Sequence, residues 1–279
     1  MAGPIAAFCW VALADSMVKL AAHIEGVGLL GPGLDGWTNS IGVLEGRSPY
    51  RRQPTVVPVP EGLPPAERRR LGLVVKLALS VGLQATSKAG VDPDALPAVF
   101  ASSGGDGQNC HEICQALAND EKLISPTRFH NSVHNAAAGY WSIATRSKAA
   151  SNALCAFDWS FAAGLLEAVT QVVVDQTPVL LVAYDAPYPQ PLFDKRPIPE
   201  AFGVAFVLAP TGAGVGLTLK LGDAPADRMS NADLEALRAS IPAARALPLL
   251  QRLAAGKAGA VNIDYLDGRS LAVDVVPCT

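Results

Sequence analysis

The stretch from Ile124 to Ala168, ISPTRFHNSVHNAAAGYWSIATRSKAASNALCAFDWSFAAGLLEA, constrains the fold more than any other part of the chain. Ala153–Ala156 reads as a strand and Ser160–Val174 as a helix, with only Phe157, Asp158 and Trp159 between them. The helix is almost wholly apolar, and a helix apolar on every side is expected to be buried on every side. A strand turning that sharply into a buried helix belongs to layered α/β architecture.

The rest of the chain alternates in the same way. His23-Ile-Glu-Gly-Val-Gly-Leu-Leu-Gly-Pro reads as a strand entering a glycine turn, and Gly46–Pro65 as a proline-rich surface loop. A helix is expected from Pro64 through Ala89, with Leu71, Val74, Val75, Ala78, Leu79 and Leu83 at helical spacing. Ala98–Ser102 reads as a buried strand, leading through Ser102-Ser103-Gly104-Gly105-Asp106-Gly107 into a helix from Asn109 to Leu117. Pro178–Ala183 is a central strand. Ala201–Leu208 and Val215–Leu221 read as a hairpin across Thr211–Gly214, and the chain closes on a second hairpin that turns at Asp267-Gly268. A helix between these hairpins is capped by Ser230 or Asn231.

Residues 23–279 are expected to form one domain behind an N-terminal extension, 1–22. The apolar run Pro4–Ala14 in that extension has no Lys or Arg before it, and Asp15 and Lys19 follow. It falls short of the roughly 20 apolar residues that span a bilayer, so no membrane span is expected. Half of the 279 residues are hydrophobic and 17% are charged, which calls for sheets buried on both faces or an apolar surface held against a partner. A formal charge of −3 argues against nucleic acid. Five scattered cysteines suit a reducing cytoplasm better than a disulfide scaffold.

Several clusters invite chemistry. Cys110-x3-Cys114 and His130-x3-His134 have zinc-like spacing, but Pro126 precedes the histidines and the linker lacks a finger's pattern, so no metal is expected. The glycine cluster lacks a P-loop lysine and fits no dinucleotide fingerprint, so no cofactor is expected. Cys155 in Ala-Leu-Cys-Ala reads as a core filler inside a strand, with a nucleophile as the sharper alternative. Arg128, His130, Asn131, His134 and Asn135 are dense polar residues in an apolar stretch. Buried polar groups must be satisfied, so structural hydrogen bonds are their default role.

Taken together, VFASSGGDG (Val99–Gly107), SPTRFHNSVHNAAAGYW (Ser125–Trp141), FAAGLLEA (Phe161–Ala168), PVLLVAYDAPYP (Pro178–Pro189) and AFGVAFVLAP (Ala201–Pro210) resemble the β-ketoacyl synthase-like family, in particular the chain-length factors of aryl polyene biosynthesis. The resemblance spans about His23 to Val276. It implies a thiolase-like layered α-β-α-β-α fold with a full first half and an abbreviated second half of about 80 residues. In that frame the nucleophilic cysteine falls near Trp159, flanked by Asp158 and Ser160, while Cys155 lies about one helical turn early. No histidine follows His134, so the donors that would stabilise a malonyl-derived enolate are absent as well. The resemblance therefore implies a silent subunit paired with an active β-ketoacyl-ACP synthase and meeting acyl carrier protein transiently. Arg128, His130, Asn131, His134, Asn135, Phe157, Asp158 and Trp159 are its tunnel or interface candidates. A stand-alone condensing enzyme using Cys155, or a homodimeric scaffold without acyl chemistry, are the alternatives.

Overall fold

The computed structural model describes residues 20–60 and 62–277. Its strands are β1 (Leu20–Gly31), β2 (Leu34–Asp35), β3 (Ala98–Ala101), β4 (Ser151–Leu154), β5 (Val179–Asp185), β6 (Phe202–Ala209), β7 (Val215–Gly222), β8 (Gly259–Asp264) and β9 (Ser270–Val276). The helices are α1 (Trp37–Leu44), α2 (Pro65–Arg68), α3 (Leu73–Ala89), α4 (Gly107–Ala118), α5 (Pro126–His130), α6 (Ala136–Thr145), α7 (Ser160–Asp175), α8 (Leu192–Lys195), α9 (Ala232–Ser240) and α10 (Leu247–Ala254). The apolar run Pro4–Ala14 lies outside the described residues, and β1 begins at Leu20, three residues before the start read from sequence.

The strands form one mixed sheet in the order β4-β3-β5-β6-β1-β7-β9-β8, with β2 folded back on β1. β3 runs parallel to both β4 and β5, so three carboxyl ends meet on one side. The expected hairpin of β6 and β7 does not form: β1 lies between them and pairs antiparallel with both. The reason is the length of β1, twelve residues with a register shift between Ile24 and Gly26. Its first part faces β7 and the remainder faces β6. The Thr211–Gly214 connection crosses over it, with Gly214 N–H donating to Glu25 Oε1 at 2.9 Å.

One core lies between the sheet and α3 with α6, a second against α7, α9, α10 and the turn Pro242–Ala246. α3 approaches β1 so closely that a Cβ on Gly28 would collide with the Val81 carbonyl. The predicted single helix Pro64–Ala89 is broken between α2 and α3. Gly72 sits at the break, where a Cβ would run into the Asp106 carboxylate. The 19-residue segment Phe157–Asp175, which contains α7, is long and apolar enough by composition to cross a bilayer, but α7 packs on β5, β3 and β1. It is not buried on every side. Phe161, Leu165, Ala168 and Val172 form its buried face, Glu167, Thr170 and Gln171 are half-buried, and Val174 is exposed. Burial of a side chain such as Phe161 contributes about 1.5–3 kcal/mol.

Candidate functional site: two turns at the carboxyl ends of β3 and β4

β4 ends at Leu154 and the chain reaches α7 through Cys155, Ala156 and a 3-10 turn, Phe157–Trp159. The apex is Phe157, whose φ of 53° lies in the left-handed region that bulky residues avoid. Ser160, almost fully buried, fixes this elbow from below. Its Oγ donates to the Phe157 carbonyl at 2.7 Å and accepts from the Ala156 N–H at 3.0 Å. Phe157 itself is 55% exposed, with the Arg196 guanidinium over its ring at 3.7 Å from the centroid. Trp159, two residues on, is half-buried at the start of α7, so Phe157 is the aromatic that projects at the apex.

Asp158 ties the elbow to the second half. Its carboxylate accepts from Arg196 at 2.7 Å and pairs with Arg245 at 3.4 Å. Arg245 continues to Asp264 at 3.3 Å, Asp264 to Arg238 at 2.8 Å, and Arg238 to Glu235 at 2.7 Å. The hydrogen bond from Arg238 holds Glu235 below the usual carboxylate range. The residues that the second half sends toward the elbow are thus an arginine–carboxylate chain.

The neighbouring turn, after β3, is held differently. Asp185, at the end of β5, is buried and accepts from Ser103 N–H at 2.9 Å, Ser103 Oγ at 2.6 Å, Ser102 Oγ at 3.4 Å and Ala243 N–H at 2.8 Å. Burial pushes its pKa up to about 6, against the pull of the Ser103 and Ala243 hydrogen bonds. Asp185 therefore joins the glycine turn to the second half. Sequence reasoning missed it, together with Arg196 and Arg245, because an aspartate ending an apolar strand and two lone arginines form no motif.

Cys155 is not the core filler expected. It lies one residue beyond β4 and is exposed. The physical reason is that β4 is short and, among the described residues, terminal in the sheet, with β3 as its one strand neighbour. The Cys155 Sγ meets the Ser103 carbonyl at 3.2 Å, a partner for S–H rather than for a thiolate. His134 Nε2 meets the adjacent Ser102 carbonyl at 3.1 Å, and no hydrogen bond among the described residues joins either His130 or His134 to Cys155.

The polar cluster resolves into hydrogen bonds within the chain. Arg128 pairs with Glu112 of α4, and its carbonyl accepts from Asn109 at 2.8 Å. Asn131 is buried, donating to the Arg70 carbonyl at 3.0 Å and accepting from Tyr140 at 3.1 Å. His130 stands edge-on to Tyr140, and Asn135 caps α6 with its backbone while its side chain stays exposed. Arg128 and Asn131 also border a cavity of about 540 Å³ between the α2–α3 break, the glycine turn and α5. Among the described residues no three His, Cys, Asp or Glu side chains converge as a metal-holding group.

The sequence profile of the β-ketoacyl synthase N-terminal domain matches residues 46–264. The chain belongs to that family. No curated protein matches the sequence. Among solved structures, a chain of "Ketosynthase (ApeO) in Complex with its Chain Length Factor (ApeC)" from Xenorhabdus doucetiae aligns with a TM-score of 0.70 at 24% identity, over 92% of this chain and 100% of the other. The ishigamide ketosynthase/chain length factor gives 0.69 at 13% identity, over 93% and 100%. A chain of AntDE:AntF, a type II polyketide acyl-carrier protein in complex with its ketosynthase, gives 0.71 at 12% identity, over 93% and 99%. The fold is therefore the thiolase-like fold of ketosynthases, and its second half is short, with β7, β8 and β9 as the strands after β6.

Proposed function

We propose that this β-ketoacyl synthase family member is a chain-length factor, the non-catalytic partner of an active β-ketoacyl-ACP synthase in aryl polyene biosynthesis. The observation that carries the reading is the elbow: the strand-turn-helix frame is kept, its apex is Phe157, and no histidine occurs after His134. A condensing enzyme needs a thiolate at that turn and donors for the enolate oxygen. Here Arg245 and Asp264 approach from the second half, already paired with Asp158 and with each other.

A lasting partner accounts for the surface. Among the described residues β4 is the terminal strand of the sheet, with one backbone edge open for pairing. Exposed Leu117, Leu123, Phe129, Val133, Ile143 and Phe157 come from one stretch of sequence, which also contains β4. Apolar side chains in such number suit an obligate interface. Arg128, His130, Asn131, His134 and Asn135 belong to the same stretch, and in this reading they stiffen the partner-facing side. The partner supplies cysteine and histidines, acyl carrier protein delivers the substrates, and this chain walls off part of the tunnel.

The test is co-expression with a β-ketoacyl-ACP synthase from the same pathway, with one subunit tagged, followed by native mass measurement and a malonyl condensation assay. A 1:1 complex whose activity is lost with the partner's cysteine supports the reading. A homodimer that ignores the synthase, or condensation by this chain alone, overturns it. Phe157→Cys and Trp159→Cys are each expected to leave this chain inactive alone, because no second-half histidine is available.

A further inference from the structure

We infer that the turn Pro242–Ala246 is a latch by which the second half couples the elbow to the glycine turn, and that Arg245 is its positioning residue. Its response to a bound synthase rests on the chain-length-factor reading, whereas the coupling itself does not. Two carboxylates of the first half end on this one turn, and each divides its oxygens in the same way. Asp185 gives Oδ1 to Ser102 and Ser103 and Oδ2 to the Ala243 N–H at 2.8 Å. Asp158 gives Oδ1 to Arg196 at 2.7 Å and Oδ2 to Arg245 at 3.4 Å. Pro242, Ala243, Ala244 and Ala246 are buried against α7, β5, β6 and the turn Phe157–Trp159. Ala243 and Arg245 stand two residues apart in this short 3-10 turn, so displacing one displaces the other.

Arg245 is the loosest link of its ion-pair chain. The outer pairs, Arg196 with Asp158 and Arg238 with Asp264, close at 2.7 and 2.8 Å, the range of a charge-assisted hydrogen bond. Arg245 reaches Asp158 at 3.4 Å and Asp264 at 3.3 Å, and its Nε is buried without a partner among the described residues. Its guanidinium is thus shared between a carboxylate of the elbow and one at the end of β8, and it can close on either. A partner pressing on exposed Phe157 shifts the next residue, Asp158, and draws Arg245 with it. The turn follows, and the Ala243 N–H tightens on Asp185. Linkage makes the effect reciprocal: whatever loosens Asp185, which is 3% exposed and touches no partner itself, weakens synthase binding.

The test is amide hydrogen exchange, read at Ala243 and Ser103, the two N–H groups on Asp185, with Val273 of β9 as the control. In the free chain, Asp158→Asn is expected to speed exchange at both amides by about threefold to tenfold and to leave Val273 unchanged. Arg245→Met is expected to do the same and to make Asp158→Asn silent when the two are combined, while Arg245→Lys recovers part of the protection. A merely structural Arg245 would speed Val273 along with the others. In the assembled complex, the synthase is expected to slow both amides in the wild type and not in Arg245→Met. Unchanged Ala243 and Ser103 amides in Asp158→Asn overturn the latch and leave the chain-length-factor reading standing. Equal slowing by the synthase in wild type and Arg245→Met overturns the positioning role of Arg245. Failure of the wild-type chain to assemble with the synthase overturns the reading, and the free-chain result still decides the latch. Arg245→Lys and Asp158→Asn keep the question decidable if the methionine variant does not fold.

Discussion

The turns that follow β3 and β4 leave neighbouring parallel strands at the same side of the sheet and each leads into a helix, yet they are secured by opposite means. The first is rich in glycine and closed over by Tyr188, whose ring a Cβ on Gly104 or Gly107 would strike, and it is held by one buried carboxylate. The second has no glycine, bends at a phenylalanine, and is held by a buried serine and a half-buried arginine with a side chain left projecting. The contrast teaches which turn is scaffold and which is tool. A turn whose groups are all satisfied inward supports the fold, whereas one stiffened around an exposed ring presents that ring to something else.

The comparison can be broken most forcefully at Asp185. Asp185→Ala leaves the Ser103 and Ala243 N–H groups buried without an acceptor and is expected to destabilise by about 3–5 kcal/mol in chemical denaturation. If its effect is under about 1 kcal/mol, the first turn is not the scaffold.

Next is a pH test. Burial raises Asp185 to about 6, so the folded protein binds this proton more tightly than the unfolded chain does. Its contribution is therefore full below the ordinary carboxylate value of about 4 and is lost as pH rises toward 6. The stability of wild type relative to Asp185→Asn should fall by up to about 3 kcal/mol across that window, and a rise would contradict the burial argument.

The second turn should give way more gently. Ser160→Ala removes two hydrogen bonds and is expected to destabilise by about 1–2 kcal/mol. Asp158→Asn should lose less than about 1 kcal/mol, and the loss should shrink at 1 M salt because these ion pairs are partly solvated. Phe157→Leu should be smallest, about 0.5–1 kcal/mol from the lost stacking of Arg196, measured by thermal denaturation.

Much of this was legible in the sequence where periodicity and caps carried it. The buried strand at Val99, the helix of Val74 to Leu83 and the terminal hairpin at Gly268 all stand where their patterns put them. Asn231, one of two candidate caps, accepts from the N–H groups of Asp233 and Leu234. What local pattern could not carry was pairing at a distance. β6 and β7 are consecutive and nearly adjoining, and only the tertiary position of β1 separates them. The break at Gly72 was hidden because apolar spacing runs on through Leu71, while Asp106, which approaches Gly72, is remote in sequence. At the elbow the missing cysteine and histidines were readable as absences. Counting residues puts the nucleophile's place near Trp159, and it does not reveal the left-handed φ at Phe157. Nor does any spacing link Arg196 and Arg245 to Asp158, since charges separated that far in sequence meet only in the folded chain.

The central claim is that acyl chemistry happens on the partner and this chain only shapes it. The most direct measurement is intact mass of both subunits of the assembled complex after exposure to an acyl-carrier-protein thioester. The acyl adduct is expected on the synthase alone, with this chain unchanged although Cys155 is exposed. An adduct on this chain that disappears with Cys155→Ser would contradict the claim and make the chain an acyl-accepting enzyme in its own right.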